Sequence, residues 1–195
     1  MSELCWQTPK GSSPCAYLRR AEDLKIQVPY ARSRRAAVQA GGHIGVYPQL
    51  LAAQFERVYT FEPELENFRC LVQNCQASNI YAARGIVSDT HGCVELRISK
   101  GSGGHSVGGA GAIPAWRIDD LQLSDCDAIF LDVEGTEIPA LRGAAETITR
   151  THPLLVVEEN KKLHGKGHQF GDIEKLMAPL GYKVVARVGE DLVLL

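Results

Sequence analysis

Short apolar runs and helically spaced apolar positions take turns along most of this chain. Residues 36–40 form an apolar segment interrupted by Gln39, and Gly41, Gly42 and Gly45 follow at once. Val46, Leu50, Leu51 and Phe55 then recur at helical spacing and predict a helix over 44–55. Val58, Tyr59 and Phe61 mark a second strand over 57–61. Leu65, Phe68, Leu71 and Val72 mark a second helix over 64–75, with Pro63 and two glutamates at its start as a helix N-terminus favours. A third strand falls within 80–87. This β-α-β-α-β order builds a parallel sheet with helices on both faces.

The rhythm then breaks. Val94, Leu96 and Ile98 alternate with polar residues, which predicts an edge strand over 93–99. Residues 100–111 are dense in glycine and are expected to form a loop, and 115–121 is expected to run extended and then turn. Regularity returns with a strand over 128–131, a helix over 138–148, a strand over 154–157 and a helix over 170–180 ended by Gly181. Strands over 182–188 and 192–195, joined by Gly189-Glu190-Asp191, read as an antiparallel hairpin. The expected fold is a doubly wound, mostly parallel α/β sheet of Rossmann-like type ending in that hairpin, the methyltransferase version of the architecture. Residues 1–35 are less patterned, with a short helix expected over 16–24, and read as an extension ahead of a domain spanning 36–195.

Composition narrows the function. The 195 residues suit one domain with a full core, and 45% hydrophobic with 23% charged residues are ordinary values for a globular protein. A formal net charge of −2 gives no drive toward nucleic acid or an anionic membrane. Arg32, Arg34 and Arg35 read as a solvated basic patch before the first strand. No run approaches a membrane span and no secretory leader is read, so a cytoplasmic protein is expected. The six scattered cysteines read as free buried thiols.

The first chemical motif is Val38-Gln39-Ala40-Gly41-Gly42-His43-Ile44-Gly45, between a predicted strand and a predicted helix. Glycine there admits a ligand close to the backbone. The G-x-x-x-G spacing suits the amino-acid and ribose parts of a nucleoside cofactor. It is neither G-x-G-x-x-G, because position 43 is His43, nor a phosphate loop ending in Gly-Lys-Ser/Thr. Glu62 ends the second strand, about 20 residues on, where a carboxylate can accept both ribose hydroxyls. Asp89, or the backbone near Ile86 and Val87, is expected beside the adenine.

The second motif is Phe130-Leu131-Asp132-Val133-Glu134-Gly135-Thr136-Glu137, which delivers three acids at the end of an apolar strand. Mutual repulsion is expected to raise at least one of their pKa values unless a cation or donor intervenes, which suits a general base for a hydroxyl. The same acids can instead hold the cofactor's ammonium or a hard divalent cation. Glu137 alternatively does no more than favour the positive end of a helix. Glu158 or Glu159 is expected to rim the same cleft. His164 and His168 lie in a glycine-containing segment that reads equally as an acceptor-binding lid or a surface loop. His105 reaches the cleft if its glycine-rich segment folds over it. His43, Asp132 and Glu134 form no recognised metal signature, and no metal is expected.

These blocks resemble the FkbM-type family of S-adenosylmethionine-dependent methyltransferases. The likeness is carried by 38–47, by Val58-Tyr59-Thr60-Phe61-Glu62-Pro63-Glu64-Leu65-Glu66-Asn67-Phe68, and by 129–137 continued through Leu141-Arg142-Gly143-Ala144. Ile118-Asp119-Asp120-Leu121 is similar to the family's segment before the 129–137 block. The resemblance covers roughly 36–160. It implies an O-methyltransferase acting on hydroxyls of sugars or secondary metabolites, with Gly41, Gly45 and Glu62 on the cofactor and Asp132 and Glu134 at the reaction centre. Two departures stand out: the family usually has an acid in place of Gln39 and Asn in place of His43. Together, Gln39, Gly41, Gly42, His43, Gly45, Glu62, Val87 and Asp132 are the expected surface for S-adenosyl-L-methionine. Asp132, Glu134 and His105 are the expected catalytic groups. The expected partner is a small-molecule or sugar hydroxyl, not a membrane or nucleic acid, with a homodimer compatible with the sequence. Alternatives are a non-catalytic nucleoside-binding or interaction subunit of the same fold, and a nucleic-acid methyltransferase. A nicotinamide dehydrogenase is disfavoured by the first loop and the terminal hairpin.

Overall fold

The apolar runs that predicted strands are buried along their whole length. Strands β1 (Ala36–Ala40), β8 (Cys126–Leu131) and β9 (Leu154–Glu158) show no exposed residue, as parallel strands covered on both faces require. A computed structural model of the protein describes residues 7–9, 20–97, 106–160 and 167–195. Its main sheet has seven strands in the order β10-β11-β9-β8-β1-β2-β3, with β2 at Arg57–Glu62, β3 at Ile80–Arg84, β10 at Val184–Val188 and β11 at Asp191–Leu194. β1 pairs in parallel with both β2 and β8, whereas β11 runs antiparallel to β9 and β10. The expected hairpin is therefore present, with β11 folded inward between β9 and β10.

The chain lays strands outward from β1 through β2 to β3, then returns to the other side of β1 with β8. That reversal opens a crevice at the carboxyl ends of β1 and β8, where ligands bind in open α/β sheets. Helices cover both faces. On one, α1 (Arg20–Gln27) and α2 (Val46–Ala52) bring Leu24 and Leu51, with Val28 and Phe55, onto Ala37, Val58, Ala128, Phe130 and Val156. On the other, α4 (Glu137–Arg142), α5 (Ala145–Thr151) and α6 (Asp172–Met177) bring Ile138, Leu141, Ile148, Ile173 and Met177 onto Val38, Ile129, Leu131 and Leu155. Helix α3 (Leu65–Asn74) is capped by Glu64, whose Oε2 accepts from the Asn67 amide at 2.7 Å.

Three regions depart from the sequence reading. The helix expected over 138–148 is two helices. A Cβ on Gly143 would fall 1.9 Å from the Ser88 carbonyl oxygen, and the turn at Ile118–Leu121 docks into the break. There the Asp119 amide donates to the Gly143 carbonyl, and the Asp119 carboxylate accepts from the amides of Glu146 and Thr147. The 118–121 block is thus helix-capping structure. The loop expected over 100–111 contains strand β6 (Ser106–Ala110), and the strand expected at an edge, β5 (Gly92–Arg97), is internal. β5 pairs with β6 on one side and β7 (Ile113–Trp116) on the other, and β7 pairs with β4 (Ile86–Val87), giving a second sheet of four strands. A Cβ on Gly111 would meet the Glu95 backbone at 2.4 Å, so glycine there permits close strand approach. The arginine patch is also pinned in part. Arg35 forms a two-pronged pair with Asp127, at 2.6 and 3.0 Å, at the end of the sheet opposite the crevice.

No helix among the described residues is long and apolar enough to cross a membrane.

Candidate active site

The crevice at the switch between β1 and β8 is one continuous cleft, and its base is the glycine turn. The amides of Gly41 and Gly42 both donate to the Phe61 carbonyl, at 3.0 and 2.9 Å, which folds the turn over the end of β2. Gly41 has a φ of 89°, and a Cβ there would sit 1.9 Å from the Asp132 carbonyl oxygen. Glycine at 41 is required twice, by backbone conformation and by the approach of the 132 turn. His43 also takes a left-handed φ of 47°, a region in which Asn and His are over-represented.

That conformation directs the His43 amide onto Glu62. Glu62 is 4% exposed; its Oε2 accepts from the His43 amide at 2.8 Å and its Oε1 from the Glu64 amide at 2.9 Å. Burial pushes its carboxyl up to about 7, against the opposing pull of those amides and the Asn67 side chain. A buried carboxylate gains from further donors, and it lines the cleft one strand from the glycine turn. Beyond it lie Pro63, Gly85, Ile86, Val87 and Leu96, an apolar wall supplied by β4 and the second sheet.

Asp132 and Glu134 line the cleft on the other side of the turn. The Asp132 amide donates to the Ala40 carbonyl at 3.1 Å, extending the β1–β8 pairing one residue past the strands. Glu134 is left-handed at a φ of 58°, a conformation that costs about 1–2 kcal/mol for a residue other than glycine. Glu137 holds it there. Its Oε1 accepts from the amides of Val133 and Gly135, both at 3.1 Å, and its carboxyl is pushed upward by burial. Glu137 is 1% exposed and fixes the acidic turn from beneath, which is more than a helix-end preference.

The cleft therefore brings together Gln39, Gly41, Gly42, His43, Glu62, Val87, Asp132 and Glu134. Gly45, at a φ of 94°, stands behind the turn, where a Cβ would meet Cys75 Sγ at 2.6 Å. Gln39 is 2% exposed and its Oε1 accepts from the Thr60 hydroxyl at 2.5 Å, so it brings no charge. Several expected residues lie elsewhere. Asp89 is exposed, and His168 does not line the cleft. Glu159 is 2% exposed and accepts from the Gly171 amide and Arg187 at 2.8 Å each, which makes it an anchor for the segment before α6. Glu158 accepts from Asn160 Nδ2 at 2.7 Å and sits in register with Asp191. His105 and His164 lie outside the described residues. Among the described residues, no three His, Cys, Asp or Glu side chains are grouped to hold a metal ion.

Sequence reasoning missed Tyr47, Asn67, Phe130, Val156 and Asp191, all of which line the cleft. Asn67, Tyr47 and Phe130 carried a signal, since they fall within the 58–68, 38–47 and 129–137 blocks. Asp191 carried none, because it reads as a hairpin turn.

Comparison with known proteins bears on the family and the fold. A family model described as the methyltransferase FkbM domain matches residues 39–184. No curated protein matches the chain. Among solved structures, a methyltransferase FkbM from Methylobacillus flagellatus KT superposes with a TM-score of 0.61 at 21% identity, covering 93% of this chain and 50% of that one. This chain thus spans half the length of that relative. A precorrin-6y C5,15-methyltransferase from Geobacter metallireducens superposes at 0.54 with 10% identity, covering 97% and 92%. A precorrin 8w decarboxylase from Methanobacterium thermoautotrophicum superposes at 0.53 with 14% identity, covering 96% and 91%. These likenesses show the fold, a Rossmann-like sheet shared across different reactions. The family match covers most of the chain and contains the glycine turn, Glu62 and the acidic turn, so the chain belongs to the FkbM methyltransferase family.

Proposed function

We propose that the chain transfers the methyl group of S-adenosylmethionine to a hydroxyl of a small molecule or sugar, with residues 36–195 as the transfer domain. The observation that carries this reading is Glu62. It is a buried carboxylate at the end of β2, lining the same cleft as a turn in which a Cβ on Gly41 would strike backbone. A ribose offers Glu62 the donors that burial makes favourable, and the apolar wall at Ile86, Val87 and Leu96 suits an adenine ring. Gln39, Gly42, His43 and Asp132 edge the room left for the donor's amino-acid end.

When bound, the donor supplies a methyl carbon made electrophilic by its sulfonium. Asp132 and Glu134 then have two tasks: to orient the acceptor hydroxyl in line with that carbon, and to take its proton as the new C–O bond forms. The C–S bond breaks with its electrons remaining on sulfur. Glu137 keeps the 132–135 turn in the geometry those tasks need.

The test is transfer of labelled methyl from S-adenosylmethionine to a panel of sugars and small alcohols, followed as labelled product, with Asp132→Asn and Glu134→Gln as controls. Labelled ether formed by the wild-type chain and lost in those variants supports the reading. No transfer by folded protein that binds the donor points to the non-catalytic alternative.

A further inference from the structure

One buried amide in the wall of the cleft is satisfied at one end only. Gln39 lies one residue inside the carboxyl end of β1, directly opposite Thr60 of β2. It is 2% exposed and lines the cleft. Its Oε1 accepts from the Thr60 hydroxyl at 2.5 Å. Thr60 is fully buried, and among the described residues Gln39 Oε1 is the only acceptor for that hydroxyl. Turning the amide over would leave a buried O–H donor without an acceptor, so Thr60 sets which way the amide faces. Both N–H groups of Gln39 Nε2 then remain to be used, and nothing among the described residues accepts them. A buried amide nitrogen in a ligand cleft gains most from an acceptor that the ligand brings.

The donor proposed above brings such a group. Its sulfonium and ammonium accept no hydrogen bond, and its ribose hydroxyls donate to Glu62. In that reading its adenine nitrogens lie beyond Glu62, at Ile86 and Val87. Its carboxylate only accepts. The reach agrees. Gln39 stands one strand over from Glu62 and opposite the residue two before it, which puts the two α-carbons about 8 Å apart. Seven single bonds of about 1.5 Å join the ribose C3′ to the carboxylate carbon, so the carboxylate lies within about 10 Å of that ribose atom. The sulfur, three bonds along, is over β1, and the remaining four bonds bring the carboxylate onto Gln39 of the same strand.

We infer that Gln39 binds the donor's carboxylate through Nε2, and that Thr60 is a positioning residue that holds the Gln39 amide in the orientation this requires. The site thereby selects a donor that keeps its carboxylate, and an acid at position 39 would repel it. This inference rests on the donor site proposed above.

Three ligands test it by calorimetry at pH 8: S-adenosylhomocysteine, its decarboxylated counterpart, and 5′-methylthioadenosine, which lacks the amino-acid end. The wild-type chain is expected to bind the decarboxylated ligand about tenfold or more weaker than S-adenosylhomocysteine. Gln39→Glu keeps an oxygen for Thr60, and in it the order of these two ligands is expected to reverse. Gln39→Met carries no charge and is expected to erase most of the gap, which keeps the test open if the buried acid prevents folding. Thr60→Val is expected to narrow the gap and Thr60→Ser to retain it. Affinity for 5′-methylthioadenosine is expected to stay within about twofold in every variant, a split that general loosening of the fold would not give. Equal wild-type affinity for S-adenosylhomocysteine and its decarboxylated counterpart overturns the inference, as does a gap that survives in Gln39→Met. So does a tenfold loss of 5′-methylthioadenosine affinity in Gln39→Met, which would assign Gln39 to the shape of the glycine turn. A full gap in Thr60→Val removes Thr60 as the positioning residue. Failure of the wild-type chain to bind any of the three ligands is a separate outcome, and it removes the donor reading together with this one.

Discussion

The two ends of the cleft are made in different ways. The Glu62 end is local: the glycine turn, β2 and the cap of α3 all fall within residues 36–74, joined by hydrogen bonds spanning about one β-α unit. The Asp191 end is assembled from afar, with Gln27 and Asp191 separated by 164 residues and Phe130 and Val156 between them. The difference has a functional logic. A donor shared across a family can be held by one contiguous motif, whereas a pocket built from the ends of several strands and a preceding helix can change one wall at a time. The local end should therefore tolerate little substitution.

The largest effect is expected at the base of the local end. Gly41→Ala puts a methyl group against the Asp132 carbonyl and forces a side chain into left-handed backbone. We expect a loss of roughly 3 kcal/mol or more in unfolding free energy, and no donor binding, checked by denaturant unfolding and calorimetry. If stability changes by less than about 1 kcal/mol, the 41–132 contact is not as close as described.

Glu62 gives the next effect, and its sign differs between stability and binding. Its folded pKa, raised to about 7 from 4.5, means the unliganded protein binds a proton that the unfolded chain has released between those values. Stability from this group is full below pH 4.5 and is lost as pH rises toward 7, by up to about 3 kcal/mol. Glu62→Gln should flatten that slope, while its single oxygen leaves one of the amides of His43 and Glu64 facing the Gln Nε2. Thermal unfolding from pH 5 to 8 checks this, and a pH slope as steep in the variant as in the wild type would contradict it. Donor affinity runs the other way, rising through pH 7 as Glu62 ionises and becomes acceptor-only.

Glu137 separates turn geometry from charge. Glu137→Gln keeps an oxygen for the amides of Val133 and Gly135, and should retain most transfer activity. Glu137→Ala leaves those amides without their acceptor, and should lower kcat about tenfold or more through the misplaced acidic turn, with KM for the donor little changed. Equal kcat in the two variants would remove Glu137 from the account. The smallest effect is at the distant end, where Asp191→Asn should leave donor-product affinity within about twofold.

The same contrast explains what could be read from the sequence. Parallel strands such as 126–131 and 154–158 are apolar throughout because both faces are covered, so pattern alone finds them. Glu62 and Asp132 were legible as cleft-lining residues because the crevice of this architecture opens at strand ends. The second sheet was misread because Gly108 and Gly109 have poor strand propensity, and β6 exists through its pairing with β5. The helix break at Gly143 depends on Ser88 and Asp119, which are remote in sequence. Asp191 and Gln27 matter only once β11 is folded between β9 and β10, a placement that hairpin residues do not encode.

The most direct test of the account is calorimetric titration of S-adenosylmethionine into the wild-type chain and Glu62→Gln at pH 8, with NAD as the control ligand. The account predicts saturable binding of S-adenosylmethionine but not NAD by the wild type. It also predicts affinity roughly 10–100-fold lower in a folded Glu62→Gln protein. Equal affinity in the two proteins, or no binding by the folded wild type at millimolar ligand, would contradict it.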